Sequence, residues 1–368
     1  MTHFFFELIQ IALANKENFN RPPTDIEWKN LYEMACKQSL AGVLLDGVNR
    51  LIESGNCSKP PMNVLYEWIG LQQHTVAHNK LQNQRTKELC ELFKDNGYRC
   101  CILKGQGTAL YYEHPEFRQC GDIDIWVSCK GKWDADKSRD EVLKFARNCG
   151  YRVGHIDIKH SDVDFFKDVP VEVHFLPSWM YNPSTNKKLQ SLFEEQSEKQ
   201  FENNDAKAGY THTTIEFDIV FSIVHIYRHI FSEGIGLRQL MDYYYILQNS
   251  SANQRKKALA VLKSLKMLSF VGGIMWILKN CFGMNEEYLL CPLNKRHGEY
   301  LLSEIMTAGN FGHYDDRMLR IDKNKKFKRG FVQLKRNLRF VSYYPSEVLW
   351  SPLWKLWHWS WRKKKGFL

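Results

Sequence analysis

The chain contains the stretch LKGQG at residues 103–107, which continues through Arg118 to GDIDIWV at residues 121–127. Asp122 and Asp124 alternate with isoleucines, so a β-strand there would present both carboxylates on one face. Two like charges on an otherwise apolar strand are costly unless a cation lies between them. A glycine turn upstream and a carboxylate pair downstream are what an enzyme that handles a nucleoside triphosphate requires.

Composition limits the classes of protein to which the chain can belong. With 368 residues and 44% hydrophobic content, it can bury large cores, and we expect two or three domains. The ten cysteines show no CxxC pair and no spacing typical of a disulfide framework or zinc site, which indicates reduced thiols in the cytoplasm. A formal net charge of +10 favours anionic partners, namely nucleotides, nucleic acid or an acidic membrane surface.

Apolar segments favour packed helices over membrane spans. The apolar run at 1–15 has no preceding basic residue and is interpreted as a packed helix rather than a signal peptide. The longest uncharged apolar run, Met267 to Leu278, is too short to cross a bilayer. Residues 1–96 as a whole predict about three helices, with a break at 55–61.

Hydrophobic periodicity then predicts an alternation of strands and helices. The predicted strands are Tyr98–Leu103, Gly121–Val127, Tyr151–Ile158, Asp162–Lys167 and Val169–Phe175, and the predicted helices between them are Thr108–Glu113 and Asp134–Asn148. The last of these strands carries Glu172, which alternates with valines and so faces opposite to them. His160 and His174 are as consistent with packing or hydrogen bonding in the sheet as with contact to substrate.

These residues resemble the nucleotidyltransferase superfamily of the DNA polymerase β type. Within it, they are similar to the uncharacterised bacterial nucleotidyltransferase group named NTP_transf_5, over roughly residues 30–310. The similarity lies in the order of the turn at Gly105, Arg118, the Asp122–Asp124 pair and His160, followed by the VEVH strand at 171–174 and GLRQLMD at 236–242. The resemblance implies an α+β fold, with a small mixed β-sheet core flanked by N-terminal and C-terminal helical regions.

The resemblance also implies the chemistry of the site. Asp122, Asp124 and Glu172 would be catalytic and would bind two Mg²⁺ ions, for which Mn²⁺ could substitute. The substrates would be an NTP, such as ATP, and an unknown acceptor hydroxyl on a protein, an RNA or a small molecule. From the residues themselves, Asp162 and Asp164 are the rival pair for the third carboxylate.

Nucleotide contacts are expected from the turn and from two further basic side chains. The turn comprises Lys104, Gly105, Gln106 and Gly107, and the further cations are Arg118 and Arg238. Superfamily members commonly have Ser or Gly after the first glycine, whereas Gln106 stands here, and the gap to Asp122 is long. The alternative function is therefore a catalytically inactive binding or regulatory protein that keeps the fold.

The remainder of the chain predicts helices. They begin near Thr213 and continue at 254–265, 267–280 and 296–307. His225 and His229 are one turn apart, but the glutamate of a His-Glu-x-x-His zinc site is missing. Arg238 and Asp242 have the spacing of an ion pair along a helix. The expected regions are an N-terminal helical region (1–96), a catalytic core (97–212), a helical domain (213–312) and a basic, Trp-rich segment (313–368).

The C-terminal segment contains a basic run at 323–329 and four tryptophans, Trp350, Trp354, Trp357 and Trp361. Their spacing of four, three and four residues places them on one face of a helix. Two interpretations remain open. The helix docks its aromatic face on the body of the protein, or it lies at a membrane surface, which would make a cytoplasmic protein peripheral to the membrane.

Overall fold

The computed structural model of the chain describes residues 2–55, 59–312, 314 and 335–367. Its centre is a five-stranded mixed β-sheet, with helices both before and after the strands in sequence. This arrangement confirms the predicted α+β class. None of the described helices combines the length and the apolar composition needed to cross a membrane.

Four helices precede the sheet in the described residues: α1 (Thr2–Ala12), α2 (Asp25–Lys37), α3 (Ala41–Ser54) and α4 (Met62–Asp95). The sequence predicted about three, and the boundary between α2 and α3 is hard to detect because neither Gly nor Pro marks it. The chain turns there at Ser39, which takes a positive φ of 55°. By contrast, α2 begins at a recognisable capping box between Thr24 and Glu27.

The sheet contains five strands: β1 (Arg99–Ile102), β2 (Ile123–Ser128), β3 (Val153–Ile156), β4 (His160–Val163) and β5 (Val171–His174). Four of them lie at the predicted places with small shifts at their ends, whereas β4 begins two residues before the predicted strand Asp162–Lys167 and ends four residues before its end. Their order is β1-β2-β5-β4-β3, and β2 and β5 are parallel while the other neighbours are antiparallel. A short α5 (Gln106–Ala109) and α6 (Ala135–Asn148) connect the first three strands. The predicted helix at 108–113 therefore begins and ends earlier than expected.

After the sheet come α7 (Pro183–Glu202), a hairpin of β6 (Asn204–Asp205) and β7 (Tyr210–Thr211), α8 (Ile215–Ser232), α9 (Leu237–Gln248), α10 (Ala252–Ser264), α11 (Leu268–Phe282), α12 (Lys295–Ala308) and the C-terminal helix (Pro345–Lys365). The predicted helices at 254–265, 267–280 and 296–307 are confirmed. Helix α7 was not predicted, although Asn182 caps it and Pro183 occupies its first position. The basic run at 323–329 lies outside the described residues.

The two faces of the sheet have different neighbours. Ile123, Ile125 and Val127 belong to a hydrophobic core shared with α4 and α6. Asp124 and Trp126 alternate with them and therefore point to the other face. There the Trp126 ring packs against aromatic rings of α7 and α8. This alternation directs the carboxylate of Asp124 toward the helices that follow the sheet.

The N-terminal and C-terminal helical regions pack together. Buried side chains of α1, such as Phe5 and Leu8, belong to the same hydrophobic core as Ile274 and Leu278 of α11. Helix α1 contacts both α3 and α11. Residues from opposite ends of the sequence thus build one core beside the sheet.

Candidate active site

The register between β2 and β5 brings the three predicted carboxylates together. The strands are parallel, and Asp124 lies directly opposite Glu172. Asp122 immediately precedes β2 and shares the face of Asp124. One oxygen from each carboxylate lies within 4.8 Å of the other two. Since Asp124 is only 1% exposed, this crowding of negative charge requires cationic or hydrogen-bonding partners.

Lys104 and His174 supply part of that compensation. The Nζ of Lys104 is 2.9 Å from Oδ1 of Asp124, and Nε2 of His174 donates to the same oxygen at 2.8 Å. The His174 Nε2 is also 3.3 Å from Oε2 of Glu172. Backbone pairing places the lysine, because the Leu103 N–H donates to the Asp124 carbonyl at 3.0 Å. Strand alternation places the histidine on the face of Glu172.

These contacts change the carboxyl pKa values unequally. Burial, followed by the Asp124 charge, raises the pKa of Asp122 to about 6. Burial would also raise the pKa of Asp124, but the Lys104 ammonium and the His174 hydrogen bond hold it below its usual value. For Glu172, burial is outweighed by the His174 hydrogen bond and nearby positive charges, and its pKa is lowered. Asp122 therefore carries the least compensated charge.

Two overlapping sets of described side chains have metal-binding spacing. Asp122, Asp124 and Glu172 form an all-oxygen set, the donor type that Mg²⁺ prefers. Glu172 also belongs to a mixed set with His160 and His174, whose donors are typical of zinc. Binding through Nε2 of His174 would break its hydrogen bond to Asp124. The all-oxygen set leaves that hydrogen bond in place.

A pocket opens beside the carboxylates, between the sheet and the helices α8 and α9. Its sheet side is lined by Lys104, Gly105, Thr108, Arg118, Gly121, Asp122 and Asp124, and its helical side by Phe221, Ser222, His225, Ile226, Arg238, Gln239 and Asp242. The pocket thus joins the carboxylates to basic side chains from distant parts of the sequence.

The family model of NTP_transf_5, described as an uncharacterised nucleotidyltransferase, matches residues 24–283. The chain belongs to this family. The matched range extends from the cap of α2 to the end of α11 and contains the whole carboxylate cluster and pocket. No curated protein matches the sequence. Membership in NTP_transf_5 supports nucleotidyl transfer as the general activity and a nucleoside triphosphate as the substrate class.

In this NTP_transf_5 member, the first half of the predicted phosphate turn faces the pocket. Gly105 has a φ of 62° and a ψ of −108°, a backbone conformation that favours glycine. A Cβ at this position would lie 3.6 Å from the Asp122 carbonyl oxygen, which is an ordinary contact. Glycine is therefore favoured here by its backbone freedom rather than by lack of space. Lys104 and Gly105 both line the pocket.

The second half of the turn packs away from the pocket. The Gln106 amide donates from Nε2 to Oδ1 of Asn79 at 3.3 Å and to Oδ1 of Asn83 at 3.0 Å, both on α4. At Gly107, an added Cβ would lie 3.2 Å from Cβ of His212. Gln106 thus anchors the turn to α4, and Gly107 packs closely against His212.

The two predicted arginines line the pocket through different contacts. Arg118 is buried, and its Nε and Nη2 donate to the two carboxylate oxygens of Asp242 at 2.7 and 2.9 Å. The Tyr112 hydroxyl also donates to Asp242 at 2.6 Å. Arg238 donates from Nη1 to the Gln119 carbonyl at 2.7 Å. Asp242, predicted as a helical partner of Arg238, is thus the bidentate partner of Arg118 and balances its charge.

The rival acidic residues occupy neighbouring positions. Asp162 lies opposite Glu172 in the register of β4 and β5, and burial followed by the Glu172 charge raises its pKa. Asp164 pairs with Arg152 at 2.7 Å at an exposed edge. Among the described residues, the acidic set with metal-binding spacing is the one that contains Glu172, with Asp122 and Asp124.

The sequence analysis gave too little weight to two residues of the site, His174 and Asp242. Glu172 and His174 are two positions apart in one strand, so their shared face could have been read from the alternation. Nothing local in the sequence indicates that Asp242 binds Arg118, which lies 124 positions away. That contact depends on how α9 packs against the loop before β2.

Proposed function

We propose that this protein transfers a nucleoside monophosphate from a nucleoside triphosphate to a hydroxyl group of an acceptor, in a reaction that depends on Mg²⁺. The observation that carries the proposal is the parallel register that sets Asp124 beside Glu172, with Asp122 adjoining them. Family membership supports the general reaction. The metal, the residue roles and the acceptor are our proposal.

The donor set suits a pair of hard cations. Asp122, Asp124 and Glu172 would hold the ions through their carboxylate oxygens. When bound, such ions activate the attacking hydroxyl and neutralise charge on the leaving pyrophosphate. The acceptor oxygen then bonds to the α-phosphorus, the bond from that phosphorus to pyrophosphate breaks, and the hydroxyl proton leaves to solvent. His174 would orient Asp124 and Glu172 through its shared N–H.

The triphosphate would occupy the pocket beside the carboxylates. Lys104 and Arg238 bring positive charge to it from opposite sides, while the Asp242 carboxylate balances Arg118. We assign phosphate contacts to Lys104 and Arg238, which line the pocket from its sheet side and its helical side, together with the backbone at Gly105. In this assignment Gln106 positions the turn through α4 and does not touch the nucleotide.

One observation favours the second candidate, a protein that binds nucleotide without transferring it. The Lys104 ammonium lies 2.9 Å from Asp124 and so provides, without any metal, part of the charge that a metal would bring. Although burial opposes it, the charges of Asp124, Asp122 and Glu172 raise the pKa of Lys104, which stays protonated. A metal entering the site would share Asp124 with this lysine or displace it.

The test is transfer of label from the four α-³²P-labelled NTPs, with Mg²⁺ or Mn²⁺, to the chain itself, total RNA, a protein lysate or a small-molecule extract. We expect D122N and D124N to reduce transfer on the order of a hundredfold or more, because each removes a metal ligand. D164N is the matched control, because it removes an exposed carboxylate at the edge of the same sheet. Transfer by D124N at the wild-type rate would contradict the proposal.

The two candidate functions differ in a second measurement. Equilibrium binding of a fluorescent ATP analogue, with and without Mg²⁺, reports nucleotide occupancy independently of turnover. Transfer that accompanies binding supports the enzyme. Tight binding with no labelled product in any acceptor mixture supports the binding protein, and loss of binding in K104M would then still identify the pocket.

A further inference from the structure

The C-terminal helix is held on the body of the protein by one face. The Trp354 ring stacks on Trp179 with the ring centroids 5.2 Å apart, and the Arg139 guanidinium lies 4.9 Å from the centroid of Trp361. Near the start of the helix, the Glu347 carboxylate accepts hydrogen bonds from the backbone N–H groups of residues 181 and 182 at 2.8 and 3.1 Å. These contacts fix the rotation of the helix about its axis.

The opposite face consists of large apolar side chains in solvent. We define the exposed Leu–Trp face as Leu349, Trp350, Leu353, Leu356, Trp357 and Trp359, which are between 39% and 66% exposed. On a helical wheel the three leucines form a central stripe, with tryptophans on both flanks. Single exposed apolar residues are common on soluble proteins, but a continuous stripe along one helix indicates a binding surface.

The charged side chains that this helix itself presents to solvent have one sign. Glu347 is the single acidic residue in the helix, and it is buried against the body of the protein. The last turn is basic throughout, from Arg362 to Lys365. Within it, Lys363 and Lys364 are exposed and lie on the flanks of the leucine stripe. The outward side of the helix therefore combines apolar and cationic groups without a carboxylate.

We propose that the exposed Leu–Trp face binds the surface of an anionic lipid bilayer. The helix would lie in the plane of the interface, with its leucines among the acyl chains, its tryptophans at the headgroup level and its lysines against lipid phosphates. A second copy of the chain is a poorer occupant, since both copies would present the same basic surface. The inference is independent of the proposed reaction, because it uses no residue of the pocket.

Flotation of the full chain with vesicles tests the proposal. We expect binding to vesicles of phosphatidylcholine with 30% phosphatidylglycerol, and much weaker binding to phosphatidylcholine alone or at high salt. L353Q/L356Q should weaken binding by roughly tenfold or more, because two inserted leucines are lost. K363Q/K364Q should weaken binding to the anionic vesicles selectively.

Matched control variants distinguish vesicle binding through this face from nonspecific binding by exposed apolar or basic side chains elsewhere. I26Q removes a similarly exposed apolar side chain on α2, and K256Q/K263Q removes two exposed lysines on α10. Both should bind vesicles like the wild type, and circular dichroism should show all variants folded. Wild-type vesicle binding by folded L353Q/L356Q would overturn the proposal. So would a lack of lipid preference, or a dimer in solution that this substitution abolishes, since the face would then bind a second copy.

Discussion

Asp218 is a buried carboxylate outside the metal cluster. It is 1% exposed and accepts hydrogen bonds from the Thr213 hydroxyl at 2.5 Å and the Tyr111 hydroxyl at 3.0 Å. Burial outweighs these two donors and raises the pKa of Asp218 to about 7. The folded protein therefore keeps a proton on this residue in a pH range where the unfolded chain has lost it.

The first prediction concerns the pH dependence of stability. Because the folded pKa of Asp218 is raised, its favourable contribution is complete below the unfolded value and is lost as pH rises through about 7. Between pH 5 and pH 8, the wild type should lose roughly 1–3 kcal/mol of unfolding free energy relative to D218N. Urea unfolding at both pH values measures this difference.

The control for Asp218 is D95N, which removes an exposed carboxylate near the end of α4. It should follow the wild type at both pH values. Parallel stability curves for the wild type and D218N would mean that Asp218 is ionised throughout, with its two hydroxyl donors sufficient to stabilise the charge.

At the scale of elements, α4 anchors the backbone segments that carry the site residues. Its buried amides bind backbone carbonyls of the loop before β2: Asn79 donates to residues 116 and 118 at 2.8 and 2.7 Å, and Gln82 donates to Gly121 at 3.0 Å. Asn79 and Asn83 also hold Gln106. The polar character of this long helix thus positions both the turn at Gly105 and the strand that carries the carboxylates.

The second prediction follows from that packing. Q106A should lower the unfolding free energy by about 1–3 kcal/mol, because it leaves the Asn79 side-chain oxygen without its donor. Affinity for a fluorescent ATP analogue should stay at the wild-type level, whereas K104M should weaken it. If Q106A instead lost nucleotide affinity at unchanged stability, Gln106 would contact the triphosphate directly.

At the scale of the whole molecule, the Arg118–Asp242 pair joins the five-stranded sheet to the helical region. Arg118 lies in the loop before β2 and Asp242 lies on α9, and both are largely buried. The pair and the Tyr112 hydroxyl together hold the pocket's two sides at a fixed spacing. Removing one partner of the Arg118–Asp242 pair leaves the other charge uncompensated in the interior.

The third prediction is that R118M lowers the unfolding free energy by about 3–5 kcal/mol, while R118M/D242L recovers much of that loss. Urea unfolding of both variants measures the effect. R50M is the control, since Arg50 pairs with Asp46 and Glu113 at the partly exposed surface, and it should cost no more than about 1 kcal/mol. A small loss in R118M would mean that water or Arg238 compensates Asp242.

Much of the fold was predictable because it depends on local patterns. The alternation in β2 and β5 identified the strands and their carboxylates, and the apolar periodicity of α8 and α11 identified those helices. Helix α7 was missed because most of its residues are polar and its buried face is narrow, although an Asn-Pro start marks it. The four tryptophans were predicted to share one side of a helix, and the structure adds that Trp354 is docked while Trp357 is exposed.

By itself, the sequence determined the succession of strands and helices, and it identified Asp122, Asp124 and Glu172 as a candidate metal-binding set, because periodicity and short motifs are properties of neighbouring residues. Only the tertiary structure decided that Asp124 lies beside Glu172 in a parallel register and that α4 supports the turn at Gly105. The tertiary structure alone also decided that Arg118 pairs with Asp242. Each of these depends on contacts between distant residues, which form when the sheet and helices bury their apolar faces together.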